Sequence, residues 1–239
     1  MTDKTPKVLG ILGGLGPMAT VYFYEMLTRH TKVSCDQEHI DVIINSRATT
    51  PDRTSFILGK STENPFDIMA KDAERLVTFG ADILAIPCNT AHYFYKRLDE
   101  CVSVPILNML RETVLAAKES GAKKVGILAT SGTILTETYQ RECAQQGIAF
   151  AVPSSDMQED IMNIIYNQIK KGERADMQSF NRVAAALKKE GCDKIILGCT
   201  ELSLIKKDEH LDSLYLDSLE VLAKTAILAF GKTPTGFSI

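Results

Sequence analysis

The feature that most constrains this chain is a repeated segment. Phe79-Gly80-Ala81-Asp82-Ile83-Leu84-Ala85 runs into Ile86-Pro87-Cys88-Asn89-Thr90-Ala91-His92. Glu190-Gly191-Cys192-Asp193-Lys194-Ile195-Ile196-Leu197-Gly198 runs into Cys199-Thr200-Glu201-Leu202. Each copy reads Gly-x-Asp, a short apolar run, one cysteine, then small polar residues suited to opening a helix. Cys88 and Cys199 stand 111 positions apart, as do Gly80 and Gly191. Lys7-Val8-Leu9-Gly10-Ile11-Leu12 is echoed 116 positions later by Lys123-Lys124-Val125-Gly126-Ile127-Leu128. A duplicated unit of this kind means two halves of one design. Each half puts a thiol at a strand end, which predicts one site between them with a thiol on each side.

The rest of the chain reads as strands alternating with helices, the pattern of α/β folds with parallel sheets. Strands are expected at 7–12, 41–45, 124–129 and 148–152 and in the apolar runs ahead of Cys88 and Cys199, with 214–216 one more candidate and 104–107 a short strand or crossing segment. Helices are expected from Pro17 to about His30, from Asp67 to Gly80, and from Thr90 to Leu98. Further helices are expected before Gly121, from Gly132, over 157–171 and 177–190, briefly after Cys199, and over 217–230. Residues 48–65 form a long polar loop, uncommon in a compact domain unless it carries function. The expected architecture is two similar three-layer α/β subdomains with the site in the cleft. Residues 1–104 with 216–239 form one subdomain and 105–215 the other, because the last helix follows the completed second half and folds back onto the first. In open parallel sheets ligands sit beyond the carboxyl ends of strands. Both cysteines, the Gly13–Gly16 turn, the 48–54 loop and Thr130-Ser131-Gly132-Thr133 all fall there.

Composition removes several classes of function. The chain has 239 residues, 45% of them hydrophobic, enough for full cores without staples. A net charge of −3 and the lack of a basic run argue against nucleic acid as partner. No apolar stretch reaches the ~18 residues of a membrane span, and residues 1–6 lack the apolar core of a signal peptide, so a cytoplasmic location is expected. The six cysteines include no C-x-x-C, and His30, His39, His92 and His210 are scattered. Neither a disulfide framework nor a metal centre is expected.

Taken singly, either cysteine reads most simply as a small buried hydrophobe. Cys35, Cys101, Cys143 and Cys192 are read that way, or as inert surface positions. The repeat sets Cys88 and Cys199 apart, and each is expected to precede a helix whose N-terminus lowers a thiol pKa from ~8.5. A lone nucleophile would want a histidine base, but His92 is expected to point back from the strand-end thiol. Two matched thiols instead suit removal of a proton from one face of a carbon and its return on the other. One must begin as thiolate and one as thiol, which is racemisation or epimerisation.

The resulting carbanion needs fixed donors around it. Backbone N–H groups at Asn89-Thr90-Ala91 and Thr200-Glu201 suit a substrate α-carboxylate, with Asn89, Thr90 and Thr200 adding side-chain donors; plain helix capping explains those side chains equally well. Arg53, oriented by Asp52, can hold a second carboxylate bidentately, although such a pair is ordinarily a solvated one. Lys170 sits among surface lysines, and spacing does not separate it from Lys171. A competing reading is a dinucleotide site. Gly14-x-Gly16-x-x-Ala19 fits the loose fingerprint and Asp36 lies where a ribose-binding acid belongs, but this leaves both cysteines unexplained. A non-catalytic binding module for acidic amino acids on the same scaffold is a third reading.

With these motifs in view, the chain resembles the aspartate/glutamate racemase superfamily, and within it the aspartate racemases that work without pyridoxal phosphate. The resemblance rests on Gly10-Ile11-Leu12-Gly13-Gly14-Leu15-Gly16-Pro17, Asp36-Gln37-Glu38-His39, Pro51-Asp52-Arg53-Thr54, Pro87-Cys88-Asn89-Thr90-Ala91-His92, Leu128-Ala129-Thr130 and Gly198-Cys199-Thr200-Glu201. It covers nearly the whole length. It implies two α/β subdomains related by a pseudo-twofold, a homodimer, no cofactor, and Cys88 and Cys199 as the two proton donor/acceptors. It also implies substrate contacts at Asp52, Arg53 and Thr54, at Asn89, Thr90 and Ala91, and at Lys170, two before the glycine of Ile165-Tyr166-Asn167-Gln168-Ile169-Lys170-Lys171-Gly172. Ser46-Arg47 is more basic than the resemblance leads one to expect. The expected substrate is a small acidic amino acid, aspartate first. Glutamate differs by one methylene, a difference worth only ~1–3 kcal/mol in a pocket.

Overall fold

Seven parallel strands form two separate sheets in the computed structural model, which describes residues 8–237. Lys7 and the segment read as lacking a signal peptide lie outside the described residues. The first sheet has the order β2-β1-β3, from β1 (Val8–Gly13), β2 (Asp41–Ser46) and β3 (Ile83–Ala85). The second has the order β5-β4-β6-β7, from β4 (Lys124–Ala129), β5 (Ala149–Ala151), β6 (Lys194–Gly198) and β7 (Tyr215–Asp217). A parallel bridge from Leu84 to Ile106 extends the first sheet beyond β3, as β7 extends the second beyond β6. The sequence echo is therefore an echo of topology. The central strands are buried and read as unbroken apolar runs, as parallel strands covered on both faces must.

The helices are α1 (Pro17–His30), α2 (Arg53–Ile57), α3 (Phe66–Thr78), α4 (Tyr95–Asp99), α5 (Met109–Glu119), α6 (Ser131–Leu135), α7 (Thr138–Gln146), α8 (Ser155–Asn163), α9 (Met177–Lys189), α10 (Thr200–Glu209) and α11 (Ser218–Ala229). Helix α11 leaves the second sheet through β7. It sets Leu219, Leu222, Ala223 and Ala226 against Leu9 and Ile11 of β1 and Phe23 of α1, while Val221 joins a core with Ile127 and Ile196. One helix thus ties both cores together.

Four local expectations change. The polar loop over 48–65 contains α2, started where the Asp52 carboxylate accepts from Ser55 N–H at 2.7 Å. The helix expected from Thr90 is a 3₁₀ segment, Thr90–Phe94, before α4. The helix expected from Gly132 is two, α6 and α7, broken at Glu137, which sits at φ 52°. The helix expected over 157–171 is α-helical only to Asn163, then π-helical over Ile164–Gln168 and 3₁₀ over Ile169–Lys171. Apolar periodicity cannot register such changes of pitch. No helix among the described residues is long and apolar enough to cross a membrane.

Candidate active site

The carboxyl ends of the two sheets meet around a cavity of about 10 Å³, room for about one water molecule. Leu15, Asp52, Arg53, Thr54, Cys88, Asn89, Thr90, Thr130, Tyr166, Lys170, Cys199, Thr200 and Glu201 line it. All the residues expected at the site are therefore present except Ala91, which is packed into the first core. The cavity does not hold an amino acid as it stands.

The two thiols reach it differently. After β3 the chain turns sharply, with Cys88 N–H donating to Ile86 C=O at 2.7 Å. Cys199 directly follows β6 and is the residue that precedes the first turn of α10. Behind Cys88, His92 Nδ1 lies 2.9 Å from the Cys88 carbonyl, and its Nε2 accepts from Met109 N–H at 3.1 Å. That assigns the proton to Nδ1. Burial lowers the His92 pKa, so the ring is neutral, with both nitrogens committed to backbone. It buttresses the turn, and with both nitrogens bonded to backbone it is not placed as a base for the thiol.

Arg53 is buried against Cys88. Its Nη1 donates to Pro51 C=O at 3.0 Å and its Nη2 to Leu15 C=O at 2.6 Å. Burial opposes the charge, but Cys88 and Asp52 outweigh it and hold the guanidinium above its ordinary pKa. Its Nε has no partner. Asp52 does not grip Arg53, which corrects the expected orienting role. Its carboxylate caps α2 and accepts from Tyr166 O–H at 3.0 Å across the cleft. Despite burial, the Ser55 N–H and the Arg53 charge keep Asp52 below the usual carboxylate range. Thr54 Oγ1 is buried without a partner.

Asn89, expected to offer its amide to a ligand, is held from behind. Its Nδ2 donates to Ser218 Oγ at 3.0 Å, and its Oδ1 accepts from Tyr139 O–H at 2.6 Å. Thr90 Oγ1 meets Thr130 Oγ1 at 2.9 Å and Thr133 Oγ1 at 3.0 Å, so a hydroxyl cluster joins the halves. Thr200 is buried on the cavity wall. Lys170 points in and Lys171 does not: Lys170 Nζ donates to Glu201 Oε1 at 2.6 Å, whereas Lys171 reaches Asn167 at the surface. The π turn sets that phase. Glu201 also accepts from the Cys199 thiol, Sγ to Oε2 2.9 Å. Burial first, then the Glu201 carboxylate, raises the Cys199 pKa well above the ordinary thiol value, while Lys170 works against them. The lowering expected of a helix N-terminus is outweighed at this thiol.

The Glu201 carboxylate and Tyr166 were not among the residues singled out as candidates. Both lie within motifs quoted from the sequence, but a first-turn glutamate reads as a helix-dipole partner. Arg47, the unexpected base, pairs with buried Asp72 while its backbone covers Gly14. Gly14 has φ +83°, and a Cβ there would lie 2.4 Å from Arg47 backbone. The dinucleotide fingerprint fails geometrically. Asp36 lies ahead of β2, at the amino end of the sheet, whereas the glycine turn follows the carboxyl end of β1.

Among solved structures this α/β arrangement is that of amino-acid racemases. Aspartate racemase of Picrophilus torridus superposes with a TM-score of 0.83, at 30% identity and with 96% of each chain covered. The pattern of the Asp/Glu/hydantoin racemase family matches residues 12–226, and the chain belongs to that family. It is 28% identical over 234 residues to the broad specificity amino-acid racemase RacX of Bacillus subtilis, covering 93% of this chain and 98% of that protein. It is 29% identical over 165 residues to glutamate racemase of Aquifex pyrophilus, covering 63% of this chain and 62% of that protein.

Proposed function

We propose that the protein racemises aspartate without pyridoxal phosphate, exchanging the α-proton between Cys88 and Cys199. The observation that carries this reading is that both thiols, one from each half, line a single buried cavity shared with Arg53 and Lys170. Arg53 lies against Cys88, and Glu201 accepts from the Cys199 thiol, so the two thiols have oppositely charged neighbours. A two-base reaction needs one thiolate and one thiol, and oppositely charged neighbours suit that division. Backbone N–H groups of 89–91 and Thr200 hold the α-carboxylate, while Arg53 and Lys170 face the side-chain carboxylate. Charge paired with the developing enolate lowers its cost in a site this dry. A homodimer in the cytoplasm is the proposed working form.

The test is proton NMR of L-aspartate and, separately, L-glutamate in D2O with no added cofactor. Loss of the α-proton signal with appearance of D-aspartate is expected. Cys88→Ala and Cys199→Ala should each lower turnover by about 10²–10⁴-fold, the range of a lost acid/base group. Exchange that leaves only the L-form, in the wild type, would reduce the site to one working thiol. Faster glutamate turnover would favour a second reading, a glutamate or broader acidic amino-acid racemase, which the RacX and glutamate racemase relatives keep open.

A further inference from the structure

The Glu201 side chain sits where a ligand would be expected. Its Oε1 takes the Lys170 ammonium at 2.6 Å and its Oε2 the Cys199 thiol at 2.9 Å. Gly16 makes room for it, since a Cβ there would lie 3.1 Å from Oε1. Lys170 and Glu201 also border a second, outer groove of about 330 Å³ walled by Pro17, Met18, Ile169 and Leu204. The ion pair is therefore a partition. On its inner side is the catalytic cavity of about 10 Å³ and on its outer side is space into which a side chain can swing.

We propose that Glu201 is the resting occupant of Lys170 and the acceptor that holds the Cys199 proton, and that the side-chain carboxylate of a dicarboxylic amino acid must displace it to bind. This rests on the racemase reading. A dicarboxylic substrate offers Lys170 an equivalent carboxylate, so the exchange preserves the charge pairing and moves Glu201 toward the outer groove. An amino acid with a neutral side chain offers nothing for Lys170, and the partition stays shut. Displacement also strips the Cys199 S–H of its acceptor while the substrate α-carbon arrives. As the α-proton passes to the Cys88 thiolate, the Cys199 S–H bond breaks and a C–H bond forms on the opposite face. Cys199 is left as thiolate beside Lys170. Glu201 is thus a positioning residue that links substrate selection to release of the thiol.

The charged and titratable groups facing Cys199 are Glu201 on α10, Lys170 on the 3₁₀ turn, Tyr166 on the π turn, and Cys88 with Arg53 behind it. Ultraviolet thiolate absorbance of Cys88→Ser, minus that of Cys88→Ser/Cys199→Ser, isolates the Cys199 titration. With Glu201→Gln added to both, its midpoint should fall by at least about one pH unit, because a carboxylate that penalises the thiolate is gone. Succinate, a probe with two carboxylates and no α-proton to exchange, should bind Glu201→Gln about fivefold tighter than wild type, since Lys170 is no longer contested. A folded Glu201→Gln protein with an unmoved midpoint and unchanged succinate affinity would overturn the proposal. If that variant does not fold, a wild-type structure with succinate decides. Succinate on Lys170 with Glu201 swung outward supports the inference, and succinate bound beside an intact Lys170–Glu201 pair defeats it. If Glu201→Gln lowers the Cys199 midpoint but the wild type racemises neither amino acid, the proposed function falls and the proton-holding role stands.

Discussion

At the scale of single residues, the two cysteines are not equivalent. One faces a buried guanidinium and the other a carboxylate, so matched strand-end thiols sit in oppositely charged surroundings. The sequence showed the matched thiols and hid these contacts, because a motif names its residues without saying which side chain each one turns toward. Asn89 illustrates the same limit. Its side chain is anchored by Tyr139, 50 positions on, and Ser218, 129 positions on. Tyr139→Phe keeps the ring but leaves the buried Asn89 Oδ1 without its donor. Urea unfolding should report a loss of about 1–3 kcal/mol. A change within a few tenths would mean that the bond contributes little.

At the scale of elements, the site depends on short irregular pieces. The regular strands and α1, α3, α5, α9 and α11 were all legible from apolar runs and periodicity, to within a few residues. Helix α2, the 3₁₀ segment after Asn89 and the π turn before Lys170 were not, since each is set by a cap or a local change of pitch. Asp52 does two jobs at one such piece, starting α2 and accepting from Tyr166. Asp52→Ala should cost about 1 kcal/mol of stability as a lost cap. It should also weaken substrate binding through the freed Tyr166, read as a raised KM. A loss of stability with an unchanged KM would confine Asp52 to capping.

At the scale of the molecule, the two sheets share a closed cleft and α11 as their tie. The cavity of about 10 Å³ is smaller than an amino acid, so its lining must move for one to bind. A ligand that binds only the folded protein stabilises it, by about 2.7 kcal/mol at a hundred times its Kd. Succinate should accordingly raise the thermal midpoint of the wild type, and Lys170→Ala should lose most of the shift. The tie itself is pH-sensitive. Burial, then the nearby Glu220 carboxylate, pushes Asp217 at the start of α11 up to about 7, against the pull of Ser203 and Lys206. Tyr22 also faces this cluster. Between the ordinary carboxylate range and about pH 7 the folded chain keeps a proton that the unfolded chain has released. The contribution of this group to stability therefore falls as pH rises through that window. Urea midpoints measured from pH 5 to 8 should decline less in Asp217→Asn than in wild type, and parallel slopes would refute the assignment.

What the sequence determined by itself was the duplicated α/β plan and the two strand-end thiols. Both follow from local pattern, since apolar runs, glycine-bounded strand entries and the spacing of a repeat are properties of neighbouring residues. Only the tertiary structure decided which groups meet each thiol. It put Glu201 across Lys170 and Cys199, committed Asn89 to the core, separated Asp36 from the glycine turn and selected Lys170 over Lys171. Those outcomes depend on contacts between segments far apart in the chain and on a few degrees of helix pitch. Burial then fixes their electrostatics, and no single stretch of sequence encodes burial.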